Sequence, residues 1–209
     1  MNKDMKRLKP LLLAAAMPCL AACVDLPPSQ MPQSSASQAV DSPFKGLDPG
    51  YKTQETAHFK VDAYGPDGAA RYASLCETDY TRIMQDLGLY SFVPSRPYNV
   101  VVYKDSAEYH SKTGQPDWSG GAAYGNALLL YEGSGLEATA SHEMTHLVFN
   151  EFMGLSQAPQ LRWINEGVAV YEEMRSDQNT AAYYTARVSQ TVAPNPIPFS
   201  QMVNLAPQT

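Results

Sequence analysis

His142, Glu143 and His146 stand in the run His142-Glu143-Met144-Thr145-His146, and that spacing has chemical meaning on a helix. Residues i and i+4 lie one turn apart on the same face, so both imidazoles can reach a single ion. Glu143 lies beside that face and can reach a water held by the ion. Two histidines do not complete a catalytic zinc site, which takes three protein ligands and leaves one position open. The third candidate is Glu166, within Trp163-Ile164-Asn165-Glu166-Gly167-Val168-Ala169. Nineteen residues separate it from His146. That is room for one helix to finish, a loop through Gly154 and Pro159, and a second helix returning antiparallel.

Each of these residues also has a plainer reading. The His-Glu-x-x-His pattern can arise by chance, although four histidines and ten glutamates make that uncommon. Glu166 could be a solvated helix glutamate, but its neighbours are apolar rather than a charge run. His58 and His110 lie outside any metal-spaced cluster, so structural or surface roles are expected for them. Cys76 could be a nucleophile. It falls in an amphipathic pattern, however, and a buried structural thiol is the better reading.

These residues need elements to position them. The pattern 136–153 spreads Ala138, Ala140, Met144, Leu147, Val148, Phe149 and Phe152 nearly all round a helix, as expected of a central, buried one. Ser134-Gly135-Leu136-Glu137 has the form of a capping box, and Gly154 sits where a C-terminal cap belongs. A second helix over 160–175 has Leu161, Ile164, Val168 and Tyr171 as its apolar side, with Gly167 allowing close approach. Upstream, 58–63 alternates as a strand, 65–68 is a turn and 69–87 carries helical spacing. A buried strand is predicted over 98–103, a short helix over 106–112, and a strand within 120–131. Strand, helix, strand, strand, then helices predicts an α+β fold.

The two motifs together, His142-Glu143-x-x-His146 and Trp163-x-Asn165-Glu166-Gly167-x-Ala169, resemble the gluzincin metallopeptidases, the superfamily of thermolysin and related aminopeptidases. The second motif is most similar to small peptidase-MA-like bacterial proteins. The similarity spans residues 55–205 in layout, with the two motifs as its specific part. It implies a zincin-like fold with His142, His146 and Glu166 as Zn2+ ligands and Glu143 as general base. It also implies that the strand within 120–131 is a sheet edge where a peptide or protein substrate adds by main-chain pairing. Gly120-Gly121-Ala122-Ala123 suits a close backbone approach there. Thermolysin-like members carry an aspartate four residues after the ligand glutamate, where this chain has Val170. Glu173, one turn further along the same face, is a candidate, but a surface glutamate is the better reading of it. The usual Tyr or His that stabilises the oxyanion is not recognisable; Tyr183 and Tyr184 are the aromatic residues on offer.

The chain has 209 residues, enough for one domain with tails, and a net charge of −6. Lys3, Lys6, Arg7 and Lys9 precede an apolar run too short to span a bilayer, followed by Leu20-Ala21-Ala22-Cys23. This resembles a bacterial lipobox, with 1–22 as signal peptide and Cys23 as the lipidated N-terminus. An ordinary signal peptide containing a cysteine is the alternative. Residues 23–52, rich in Pro, Gln and Ser, read as a disordered tether, and 53–209 as the peptidase-like domain, with a naturally short or truncated C-terminus as one reading. The expected address is the cell envelope, the membrane being engaged through the lipid; without an aspartate after Cys23 the outer membrane is favoured in a Gram-negative organism. Loss of 1–22 takes the charge to about −9, which gives no electrostatic footprint for nucleic acid. A zinc peptidase, a cell-wall peptide hydrolase acting on peptidoglycan peptides, and a non-catalytic binding module on the same scaffold all remain open.

Overall fold

The structure is a computed structural model that describes residues 44–154, 161–198 and 201. The expected signal segment, Cys23 and the tether up to residue 43 lie outside the described residues. Strands β1 (Lys52–Glu55), β2 (Phe59–Ala63), β3 (Tyr98–Tyr103), β4 (Gly121–Tyr124) and β5 (Ala127–Tyr131) form one sheet. Helices α1 (Gly68–Asp86), α2 (Ser106–Thr113), α3 (Leu136–Met153), α4 (Arg162–Ser176) and α5 (Gln178–Arg187) accompany it. A π-helical turn, Val188–Val192, follows α5. The fold is therefore mixed α+β.

The sheet order is β1-β2-β3-β5-β4. The three central strands are parallel, whereas the two outer strands pair antiparallel with their neighbours. Central strands covered on both faces need continuous apolar runs, and β3 and β5 supply them. Val100, Val102, Leu128 and Leu130 face α1 and α3, where Tyr72, Cys76, Ile83, Met144 and Val148 complete the main core. The alternate residues Val101, Tyr103, Ala127 and Leu129 face Tyr109 of α2 in a smaller core. Outer strand β1 is exposed along its whole length, and its Lys52 is the kind of residue that blunts an open edge.

The packed part of the chain begins earlier than residue 53. Phe44 and Leu47 lie against the smaller core. The Tyr103 hydroxyl donates to the Lys45 carbonyl at 2.8 Å, and Lys112 pairs with Asp48 at 2.8 Å. Two apolar residues in a polar, proline-containing stretch make too faint a pattern to separate this segment from a tether. Cys76 is buried in the main core. Burial, with Asp79 and Glu77 adding their charges, pushes its thiol up, away from the thiolate a nucleophile needs. His58 donates from Nδ1 to the Glu77 carboxylate at 2.7 Å and stacks on Tyr80, while His110 meets the Gln115 carbonyl. No helix among the described residues is long and apolar enough to cross a membrane.

Helix α3 forms over 136–153, but Ser134 does not make the expected capping box. The N-cap position is Gly135, without a side-chain hydrogen bond. Its other end is held firmly: Glu151 accepts from the Tyr98 hydroxyl at 2.6 Å and from the Ser95 N–H at 2.7 Å. Helix α4 departs further from its sequence pattern. Its buried residues are Asn165, Ala169 and Glu172, whereas Tyr171 is exposed and Leu161, Ile164 and Val168 are only half-buried. The face turned inward is thus largely polar. A Cβ at Gly167 would meet nothing within 4 Å, so the close approach of α4 runs through Ala169 rather than through the glycine.

Candidate metal centre

His142 and His146 project from one face of α3, as the i, i+4 spacing requires, and α4 brings Glu166 to the same point. His142 Nε2 and His146 Nε2 stand 3.2 Å apart. Glu166 Oε2 lies 3.9 Å from the first and 3.6 Å from the second. One ligand atom from each residue falls within 4.8 Å of the others. Donors about 2.0–2.1 Å from a tetrahedral zinc are roughly 3.3 Å apart, so the three atoms need to move by only tenths of an ångström to share an ion. Nitrogen and carboxylate oxygen are also the donors that catalytic zinc takes.

The outer nitrogens of both rings are engaged. His142 Nδ1 meets Glu173 Oε2 at 2.9 Å, and His146 Nδ1 meets Asn165 Oδ1 at 2.9 Å. Asn165 in turn donates from Nδ2 to Asn150 Oδ1 at 3.0 Å, which fixes its carbonyl toward the histidine. With acceptors on Nδ1, each ring carries its proton there and turns a lone pair at Nε2 toward its neighbours. Burial alone would lower the affinity of His142 for a proton. The Glu173 hydrogen bond, with the charges of Glu143, Glu173 and Glu166, outweighs this and holds the imidazole above its ordinary range.

Glu173 is therefore the acceptor that Val170 cannot be, and it is half-buried rather than a plain surface residue. It stands one helical turn beyond Val170, and the longer glutamate side chain reaches back to the ring. Replacing Glu173 by Gln, which cannot take the same charge-assisted hydrogen bond, is expected to weaken zinc binding about 10–100-fold. Competition against a chromophoric chelator measures this directly; unchanged affinity would remove Glu173 from the site. Tyr184 places its hydroxyl 3.5 Å from the same Glu173 oxygen. Tyr183 is exposed.

Glu143 lies against β4. Burial pushes its carboxyl up, the charges of His142 and His146 and the Ala123 N–H pull it down, and Glu166 adds to the rise. The net direction is upward. Among the described residues strand β4 is an outer strand of the sheet and pairs only with β5, so there the strand contacted by Glu143 has an open side. Its glycines serve the helix. A Cβ at Gly121 would sit 2.7 Å from Thr139 Cγ2 and 3.0 Å from the Leu129 carbonyl oxygen. Thr139 and Glu143 form one stripe of α3, so this contact sets the height of α3 above the edge strand. Gly121→Ala is expected to destabilise the fold by about 1–3 kcal/mol, read by thermal or urea unfolding. Adding Thr139→Ser should recover part of that loss.

Sequence reasoning missed Asn150, whose only signal is its place one turn after His146, and the polar links of α4 to α1, which join residues about 90 positions apart. No family model, no curated protein and no solved structure matches this chain.

Proposed function

We propose that the chain is a zinc-dependent peptidase of the gluzincin type, with a zincin-like arrangement of edge strand, His-Glu-x-x-His helix and glutamate-bearing helix. The observation that carries this reading is the convergence of His142 Nε2, His146 Nε2 and Glu166 Oε2, with both outer ring nitrogens already held. Two part-buried imidazoles whose inner nitrogens face each other, with the exposed Glu166 carboxylate beside them, form a donor set that a cation would satisfy. Zinc, when bound there, lowers the pKa of a coordinated water and polarises a carbonyl.

The chain's own residues supply the rest. Glu143 accepts a proton at its carboxylate and returns it to the leaving amine, both within reach of a group lying beside the two histidines on α3. The open side of β4 receives an extended peptide by main-chain pairing. Glu173 and Asn165 keep the two imidazoles in register. Cys23, as a lipidated N-terminus, would hold the enzyme at the cell envelope, where peptidoglycan peptides are candidate substrates alongside proteins.

The test is hydrolysis of a casein mixture and of purified peptidoglycan by zinc-loaded protein, before and after a chelator. Chelator-sensitive release of new amino termini supports a peptidase, and release from peptidoglycan alone makes it a cell-wall peptide hydrolase. Inactivity of the zinc-loaded protein on both substrates would favour a non-catalytic binding module.

A further inference from the structure

Helix α4 brings Glu166 and Glu173 to the metal centre, yet its inward face buries only Asn165, Ala169 and Glu172. Asn165 is spent on His146 and Asn150. Glu172 is fully buried and meets Arg82 of α1, which also approaches the Glu172 carbonyl at 3.3 Å. The same guanidinium donates to Asp79 at 3.1 Å and to Ser141 Oγ at 3.0 Å, while the Ser141 hydroxyl donates to Asp79 Oδ2 at 2.7 Å. Asp79 and Ser141 are buried as well.

The sequence neighbours of these residues give the network its interest. Ser141 precedes His142, and Glu172 precedes Glu173, the residue that holds His142 Nδ1. One side chain from α1 therefore grips α3 and α4 next to the first imidazole and next to that imidazole's outer partner. Arg175 and Asp86 repeat the connection between α1 and α4 one turn further along, at 3.3 Å. An apolar contact can slide, but a planar fork with three directional partners fixes both distance and rotation.

We infer that Arg82, through Glu172, Asp79 and Ser141, is a positioning residue for the metal centre: it seats α4 against α3 so that Glu166 and Glu173 meet the two histidines. This rests on the reading of His142, His146 and Glu166 as metal ligands. The network lies behind the centre and touches neither substrate nor metal, so its effect is on the geometry of the ligand set.

The test measures zinc affinity by chelator competition and the visible spectrum of the cobalt-substituted full chain. Arg82→Met is expected to weaken zinc binding on the order of 10–100-fold, as loss of support behind metal ligands does, and to shift the cobalt bands. Arg82→Lys, which keeps the charge without the fork, should recover part of both. Glu172→Gln keeps the shape and is the milder variant should Arg82→Met fail to fold; several-fold weaker binding is expected. Ile83→Val, a core change on the same helix, lowers stability without reaching the network and should leave the affinity and spectrum of the wild type. Wild-type affinity and spectrum in folded Arg82→Met or Glu172→Gln would overturn this inference alone. A wild-type protein that binds neither zinc nor cobalt would overturn the metal reading and this inference with it.

Discussion

Glu143→Gln is expected to lower kcat for peptide hydrolysis by about 10²–10⁴-fold, the usual contribution of a positioned acid–base group, with zinc content unchanged. The substitution keeps the size of the side chain and removes its ability to take up a proton. It leaves His142, His146 and Glu166 in place, so binding and turnover separate cleanly. The pH dependence has a definite sign. Burial holds the Glu143 carboxyl above its ordinary range despite the opposing histidines and the Ala123 N–H. A base must be ionised to work, so activity in the wild type should fall on acidification as Glu143 takes up a proton. A pH profile of kcat measured on both proteins checks this: the acidic limb belonging to Glu143 is absent from the residual activity of the variant. Full activity in Glu143→Gln would exclude the glutamate as base.

Removing a ligand should have the larger effect on the metal. His146→Ala and Glu166→Ala are each expected to lose zinc affinity by more than the 10–100-fold anticipated for a supporting residue such as Glu173, and to lose turnover with it. The two variants differ in what they do to the fold. Glu166 has 48% of its side chain exposed and, among the described residues, otherwise pairs only with Arg162 at 3.8 Å. The metal-free stability of Glu166→Ala should therefore stay within about 0.5 kcal/mol of wild type. His146 is more enclosed, and its loss leaves the buried Asn165 Oδ1 without its partner, so His146→Ala should also cost stability. Zinc raises the melting temperature of whatever binds it in the folded state. Thermal unfolding with and without zinc should show a shift in the wild type that is absent from both variants; equal shifts in Glu166→Ala and wild type would remove that residue from the ligand set.

The parts of this molecule that could be read from sequence are those where one physical demand dominates. Strands β3 and β5 are covered on both faces and so are written as unbroken apolar runs. The histidine pair is legible because an i, i+4 spacing puts two rings on one face of a helix, where they can share an ion. Strand β1 lies exposed at an edge and needs no apolar alternation. Strand β4 is built of small residues because Thr139 presses on Gly121, so the close approach expected for a substrate is in part the approach of a helix. Helix α5 has no buried residue and hence no apolar period to detect. Helix α4 misleads for a related reason: its inward face is Asn165, Ala169 and Glu172, while the aliphatic positions that define its apparent apolar side are half-exposed. Polar seating of this kind depends on partners about 90 residues away in the chain, such as Arg82 for Glu172, and no local pattern announces them. Glu173 illustrates the same limit. A longer side chain placed one turn later does the work expected of an aspartate at the position of Val170, and distance in space decides what sequence offset leaves open.

The most direct test of the account is X-ray absorption at the zinc edge of the metal-loaded wild-type protein. It predicts one zinc per chain bound by two imidazole nitrogens at about 2.0–2.1 Å with oxygen completing the sphere, and loss of the imidazole signature in His146→Ala. A spectrum without imidazole scattering, or the same spectrum in His146→Ala as in wild type, would contradict it.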